Sequence, residues 1–255
     1  MLRFFCFIFL LFSFGYAKNL EATYKVSFGI FGEVGMAKAS LHVKEDRTYE
    51  ISMYAYTTGF SAFLSGNRQE WFHSSGEVDA NGLLVPHVYK KIVQREKNSV
   101  TLEKREFFTQ RDIKTYTFSH ATKKILLVKQ KEINSKLASQ SQEELSYFSE
   151  NDLLSLFFNF KMLLKSLHVQ DFSLYAVGAN KKDGRIDIQK LTEHEKIKKE
   201  FSWEDGEYLK VRINDKIFAS KKGELLVNLR EDGIVKSAVL KDVILFGDIR
   251  GELVD

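Results

Sequence analysis

Apolar and polar residues alternate one by one through most of this chain. Ala22, Tyr24, Val26, Phe28 and Ile30 fall on one face of an extended segment, with Thr23, Lys25 and Ser27 on the other. Ala37, Ala39, Leu41 and Val43 alternate with Lys38, Ser40, His42 and Lys44, and Tyr49, Ile51, Met53 and Ala55 repeat the pattern. It returns at Leu209, Val211 and Ile213, and again at Leu225, Val227 and Leu229. A period of two predicts strands with one wet and one buried face, the pattern of antiparallel sheets. A single proline in 255 residues leaves chain reversal to Gly, Asn and Asp. Gly32-Glu33, Glu45-Asp46, Asn81-Gly82, Asn98-Ser99, Asp183-Gly184, Asp205-Gly206 and Asp232-Gly233 sit between these runs and are read as turns. The expected fold is mainly β: about a dozen strands in one curved antiparallel sheet, a barrel or half-barrel. The runs 84–97 and 234–246 alternate less cleanly and suggest bulges, or strands covered on both faces.

One segment breaks the period. Residues 149–164 read SENDLLSLFFNFKMLL, with apolar side chains pointing in nearly every direction of a helix. Ser149 and Asp152 resemble a capping box, Glu150 and Asp152 suit a helix start, and Lys161 and Lys165 suit its end. A helix apolar all round is buried on most sides, and this one is too short to span a bilayer. It is expected inside or against the curved sheet. The polar run 133–148 before it reads as a loop or an exposed helical turn.

Residues 1–17, MLRFFCFIFLLFSFGYA, have the form of a secretory signal peptide: Arg3, an uncharged apolar run, then Gly15-Tyr16-Ala17. The expected organisation is this leader followed by one antiparallel β domain over 18–255. The expected location is the periplasm, with no stable membrane span after processing. Cys6 is the single cysteine and leaves with the leader, so disulfides and thiolate chemistry drop out of the mature chain. Six of the 22 phenylalanines leave with it. The net charge of +4 is mild and the basic residues are scattered among acidic ones, which does not make a nucleic-acid-binding face. Charged residues in mid-strand also exclude the lipid-facing wall of an outer-membrane barrel.

No nucleophile elbow, phosphate-binding loop, dinucleotide fingerprint or His-Glu-x-x-His motif is present. His73 with Glu77, and His194 beside Glu193 and Glu195, read as surface residues rather than metal ligands. The reading is non-enzymatic, with no cofactor and no metal. The aromatic residues are the better lead. Residues 54–64, YAYTTGFSAFL, interrupt the alternation with a short apolar loop, and Trp71-Phe72 follow. Tyr54, Tyr56, Phe60, Phe63, Leu64 and Trp71, with Leu156, Phe157 and Phe160 of the helix, are the candidate lining of an apolar cavity.

Three stretches resemble a known family: Gly82-Leu83-Leu84-Val85-Pro86-His87-Val88-Tyr89, Asn151-Asp152-Leu153-Leu154-Ser155-Leu156, and Gly223-Glu224-Leu225 with Leu245-Phe246-Gly247-Asp248-Ile249-Arg250-Gly251-Glu252-Leu253. They resemble the bacterial periplasmic family known as domain of unknown function 3108, with one extra residue before Pro86. That resemblance implies a β-rich envelope protein and transfers no catalytic residue. The general shape is similar, more distantly, to the half-barrels of periplasmic lipoprotein carriers. The expected function is to hold an apolar ligand such as an acyl chain. The alternative is an envelope-assembly factor with a filled core whose partner is another envelope protein.

Overall fold

In a computed structural model the described residues are 18–29, 32–100, 105–166, 169–180, 182–192, 201, 205–212, 223–243 and 247–254. Residues 1–17, read above as a leader, and the group around His194 lie outside them.

The alternating runs form the strands they predict. The first eight are β1 (Lys18–Phe28), β2 (Glu33–Val43), β3 (Thr48–Thr57), β4 (Gln69–Val78), β5 (Leu84–Val100), β6 (Arg105–Ser119), β7 (Lys124–Ile133) and β8 (Lys136–Glu144). After a helix come β9 (Asp171–Tyr175), β10 (Arg185–Lys190), β11 (Glu207–Arg212), β12 (Glu224–Leu229), β13 (Val235–Val243) and β14 (Gly247–Leu253). Among the described residues every pairing between these strands is antiparallel, in one 14-stranded sheet. Its order runs β8 to β1, then β14 back to β9. Two meanders are thus joined edge to edge by the first and last strands, with Tyr24 opposite Leu253 and Phe28 opposite Ile249. The sheet is open: β8 and β9 are its two edges.

Because directly paired residues in antiparallel strands share a face, the registers trace the buried wall. Leu20, Leu41, Ile51, Ser74, Tyr89, Tyr116 and Leu127 form one cross-strand row through β1 to β7. The row is apolar or aromatic except at Ser74, and Ile51 and Ser74 are fully buried. In the other meander Ile188, Val211, Leu225, Leu240 and Ile249 form the equivalent row.

The apolar segment becomes α2 (Leu153–Ser166). It crosses between the two meanders and belongs to both cores. Leu154, with Phe158, packs among Leu41, Ile51, Tyr89 and Leu127. Leu156 and Leu164, with Leu153, Phe160 and Leu163, pack among Ile186, Ile188, Leu209, Val227 and Leu229. An all-round apolar helix is stable here because sheet surrounds it on two sides. Each buried leucine contributes about 1.5–3 kcal/mol.

Two hairpin turns clasp the helix. The Asn81-Gly82 turn brings the Cα of Gly82 (φ +85°) to the end of Met162, and the Asp232-Gly233 turn sets Gly233 (φ +90°) against Lys161. Both glycines hold backbone that side chains rarely adopt.

Four local expectations are corrected. The polar run 133–148 contains a strand, β8, whose nine residues are all exposed. Asn98-Ser99 is not a turn but lies within the long β5, opposite Phe107 and Glu106. Residues 59–64 are not a loop but lie in a short helix, α1 (Gly59–Ser65), between β3 and β4. The cap of α2 is Asp152 and not Ser149: its Oδ1 accepts from the N–H groups of Leu154 (2.7 Å) and Ser155 (2.9 Å). The irregular runs do contain bulges, at Ser75/Gly76 opposite β5 and on both sides of β13.

Candidate binding groove and the helix cap

Strand parity divides the predicted site residues between two faces. Met53 and Phe72 pack against the α2-side core. Their neighbours Tyr54 and Trp71 therefore point away from it. Tyr54 and Trp71 are directly paired and their rings stack at 5.3 Å. Tyr56 continues the stack at 5.2 Å from Tyr54. The Tyr56 hydroxyl reaches Met36 Sδ at 3.4 Å and the Tyr54 hydroxyl donates to Gln69 Oε1 at 3.3 Å.

The Tyr54 and Trp71 rings wall a groove of about 510 Å³ across β1 to β4. Two complete cross-strand rows lie along it: Thr23, Lys38, Tyr54 and Trp71, then Glu21, Ser40, Ser52 and His73. The groove joins an aromatic wall to one ammonium, one imidazole and one carboxylate. An apolar body with a few polar anchors is the usual composition of a small-molecule site, and the volume falls in the usual range of about 300–1,000 Å³.

Of the other predicted residues, Phe63 sits on α1 and is 78% exposed. The side chains of Phe60 and Leu64 lie outside the described ones. Leu156 is buried in the second core, Phe160 packs on the same cluster, and Phe157 meets Phe158 edge-on at 5.1 Å. The structure thus brings Tyr54, Tyr56 and Trp71 together and places the helix residues on the opposite side of the sheet.

On the α2 side, Asp152, part of the helix start read from the sequence, is joined by residues that sequence reasoning missed, Ser74, Tyr49 and Asn159. Asp152 Oδ2 accepts from Ser74 Oγ at 2.6 Å, and Ser74 Oγ lies 3.1 Å from the Tyr49 hydroxyl. Ser155 Oγ accepts from the Asp152 N–H at 2.9 Å, closing a reciprocal cap. Burial pushes the Asp152 carboxyl up to about 6, against the lowering effect of its hydrogen bonds from Ser74, Ser155 and Leu154. The same burial raises the Tyr49 and Tyr89 hydroxyls, and the neighbouring Asp152 charge adds to it.

Asn159, about two turns on from Asp152, treats β5 as a partner strand. Its Oδ1 accepts from the Leu84 N–H at 2.8 Å, and its Nδ2 donates to the Leu84 carbonyl and to Asn151 Oδ1, each at 2.9 Å. The signal for Asn159 was a polar side chain inside an otherwise apolar helix.

Two further clusters are satisfied locally. Burial alone would raise the Glu70 carboxyl, but Lys91 and Arg68 outweigh it and hold the group below its ordinary value. Lys91 lies 3.1 Å from Glu70 and 4.7 Å above the Phe72 ring. His120 donates from Nε2 to the Pro86 carbonyl at 2.7 Å, with Nδ1 3.2 Å from Glu150. Among the described residues no group of three metal-ligating side chains converges.

No family model matches the chain, and no curated protein matches it. It is similar to the crystal structure of a beta-barrel-like protein of domain of unknown function DUF1849 from Brucella abortus, at 10% identity, over 94% of this chain and 96% of that one, with a TM-score of 0.39. The class that the sheet itself defines is mainly β: among the described residues, one large, unclosed antiparallel sheet with two short helices.

Proposed function

We propose that the protein is an exported, non-catalytic binding protein of the periplasm that holds an apolar ligand such as an acyl chain. The ligand lies in the groove of Tyr54 and Trp71, with Lys38 and His73 facing its polar end. The observation that carries this reading is the 510 Å³ groove, in which the stacked Tyr54 and Trp71 rings meet a small set of polar groups. The all-round apolar helix has a different place: it packs into the core on the other side of the sheet.

The chain has two tryptophans, so a Trp203→Phe variant leaves Trp71 as the reporter. Titration with a brominated fatty acid is expected to quench it saturably, and Tyr54→Ala is expected to weaken the binding at least severalfold. Absence of quenching, or quenching that is linear and unsaturable, sinks the reading.

A second reading, a protein-interaction factor of the envelope, draws on β8. All nine of its residues are exposed at an open edge, where an extended partner segment can add a strand. Ser139→Pro would remove a ladder donor, and it is expected to abolish capture of an envelope partner by crosslinking if this edge is used.

A further inference from the structure

The open edge at β8 is long and lightly guarded. Sheet edges are usually blunted by proline, by charge along the strand or by extreme shortness. β8 has nine residues, all exposed, with no proline and no charge from Leu137 to Gln142. Its charges sit at its two ends: Lys136 at the start, Glu143 and Glu144 at the finish. One bulge, opposite Lys131/Glu132, lies near the start, and Ser139 to Glu144 run in regular register.

The ladder to β7 shows which backbone groups are free. The Leu145 N–H reaches the Ile125 carbonyl at 2.9 Å. Hydrogen-bonded and open pairs alternate along an antiparallel ladder. Glu143, Ser141 and Ser139, opposite Leu127, Lys129 and Lys131, therefore bond inward. Gln140, Gln142 and Glu144 turn their N–H and carbonyl groups out of the sheet edge.

An antiparallel neighbour of the same sequence meets this edge in a defined way. The register that overlaps all nine residues sets Gln140 opposite its own copy. Gln140 has outward backbone groups, so this is a hydrogen-bonded pair on a two-fold axis, and such an axis closes the assembly at two copies. The same register brings the positive start of each strand to the negative finish of the other. The side-chain faces agree with it. Lys136 is paired with Ile133 and Glu143 with Leu127, so both lie on the α2 side, and the bulge makes up the odd count between them. Glu143 holds Lys129 at 2.5 Å through one oxygen and is 53% exposed, which leaves the other oxygen for a second ammonium. β9, the opposite edge, has five residues and one charge, Asp171. Pairing of β8 with β9 of another copy would propagate an open chain of molecules rather than close a pair.

We propose that a second copy of this chain covers β8 with its own β8, antiparallel about a two-fold axis at Gln140, so that the two sheets continue as one. Lys136 of each copy meets the partner's Glu143. The inference rests on strand addition at this edge, as the protein-interaction reading does, but it names the occupant and does not depend on the groove.

The test is sedimentation velocity on the full purified chain over a range of concentrations. Wild type is expected to pass reversibly from monomer to dimer as concentration rises. Lys136→Glu alone, and Glu143→Lys/Glu144→Lys alone, are each expected to weaken self-association about tenfold or more, because like charges then meet at both ends of the pair. An equimolar mixture of these two variants is expected to form the dimer again, which misfolded chains would not do. A hydrogen-bonded antiparallel pair sets its Cα atoms about 5.5 Å apart, within the reach of a disulfide. Under a mild oxidant Cys6→Ser/Gln140→Cys is therefore expected to give a covalent dimer, and Cys6→Ser/Glu144→Cys is not. Residues 1–17 are common to all of these chains, and association through them would not respond to position 136. A wild type that stays monomeric, a dimer indifferent to the charge changes, a mixture that does not re-form it, or crosslinking at 144 instead of 140 would overturn the proposal. A monomeric chain that still captures an envelope partner, and loses it in Ser139→Pro, would overturn this pairing and keep the interaction reading.

Discussion

Ser74 on β4 donates a 2.6 Å hydrogen bond to Asp152, the cap of α2, across 78 residues of chain. A single carboxylate thus fixes the start of the helix and its docking on the sheet at once.

The first prediction concerns pH. Burial holds the Asp152 carboxyl near 6, above its ordinary 3.8, so the folded chain keeps this proton more tightly than the unfolded one. Its contribution is fully present below about pH 4 and is lost as pH rises through about 6, a cost of about 3 kcal/mol at neutrality. Asp152→Asn removes the titration and keeps an acceptor for the Leu154 and Ser155 N–H groups. Urea melts from pH 4 to 7 are expected to show wild-type stability falling relative to this variant. A constant difference across that range would falsify the assignment.

Asp152→Ala takes away the acceptor as well. It removes the cap and orphans buried donors at Ser74 and the helix start, and it is expected to cost about 2–4 kcal/mol in the same melts.

Asn159 gives a third prediction. Asn159→Leu matches the apolar helix around it but strands the N–H and carbonyl of Leu84. A loss of about 2–4 kcal/mol in denaturant midpoint is expected, despite the gain in hydrophobicity. A neutral result would mean that water replaces the amide.

The two helix-clasping turns are expected to differ. A Cβ on Gly233 would meet Lys161 Cβ at 2.7 Å, and one on Gly82 would meet Met162 Cε at 3.4 Å. Gly82→Ala pays mainly for its left-handed backbone, about 1–2 kcal/mol, and Gly233→Ala pays more because turn and helix must part. Thermal melts of the two variants decide the order.

Neighbouring positions of β3 test the two faces. Ile51→Ala empties the α2-side core and is expected to cost about 3–4 kcal/mol. Tyr54→Ala, on the groove face, is expected to cost less than half as much and to act mainly on ligand binding.

The strands with a buried face were legible because burial writes a period of two into the sequence, as at Leu41, Tyr49 and Ile51. The Asn81-Gly82 and Asp232-Gly233 turns were legible because their backbone needs glycine. β8 was not, since KLASQSQEE has no buried side and edge pairing alone leaves no hydrophobic record. The helix cap moved from Ser149 to Asp152 because both are good caps and only the docking against Ser74 chooses between them. The aromatics 54–64 and the helix aromatics look like one cluster by composition. Parity separates them: Tyr54, Tyr56 and Trp71 fall on the opposite side from Met53 and Phe72, and the sheet lies between them and Leu156.

The pairing of β1 with β14 makes one seam of the sheet a contact between distant parts of the chain: one edge of β1 is covered by β2, the next strand in sequence, and the other only by β14. Each meander must therefore hold itself together as a separate half while that edge stays open to the wrong strand. Disruption of β14 would unzip that seam and uncover β13 as well.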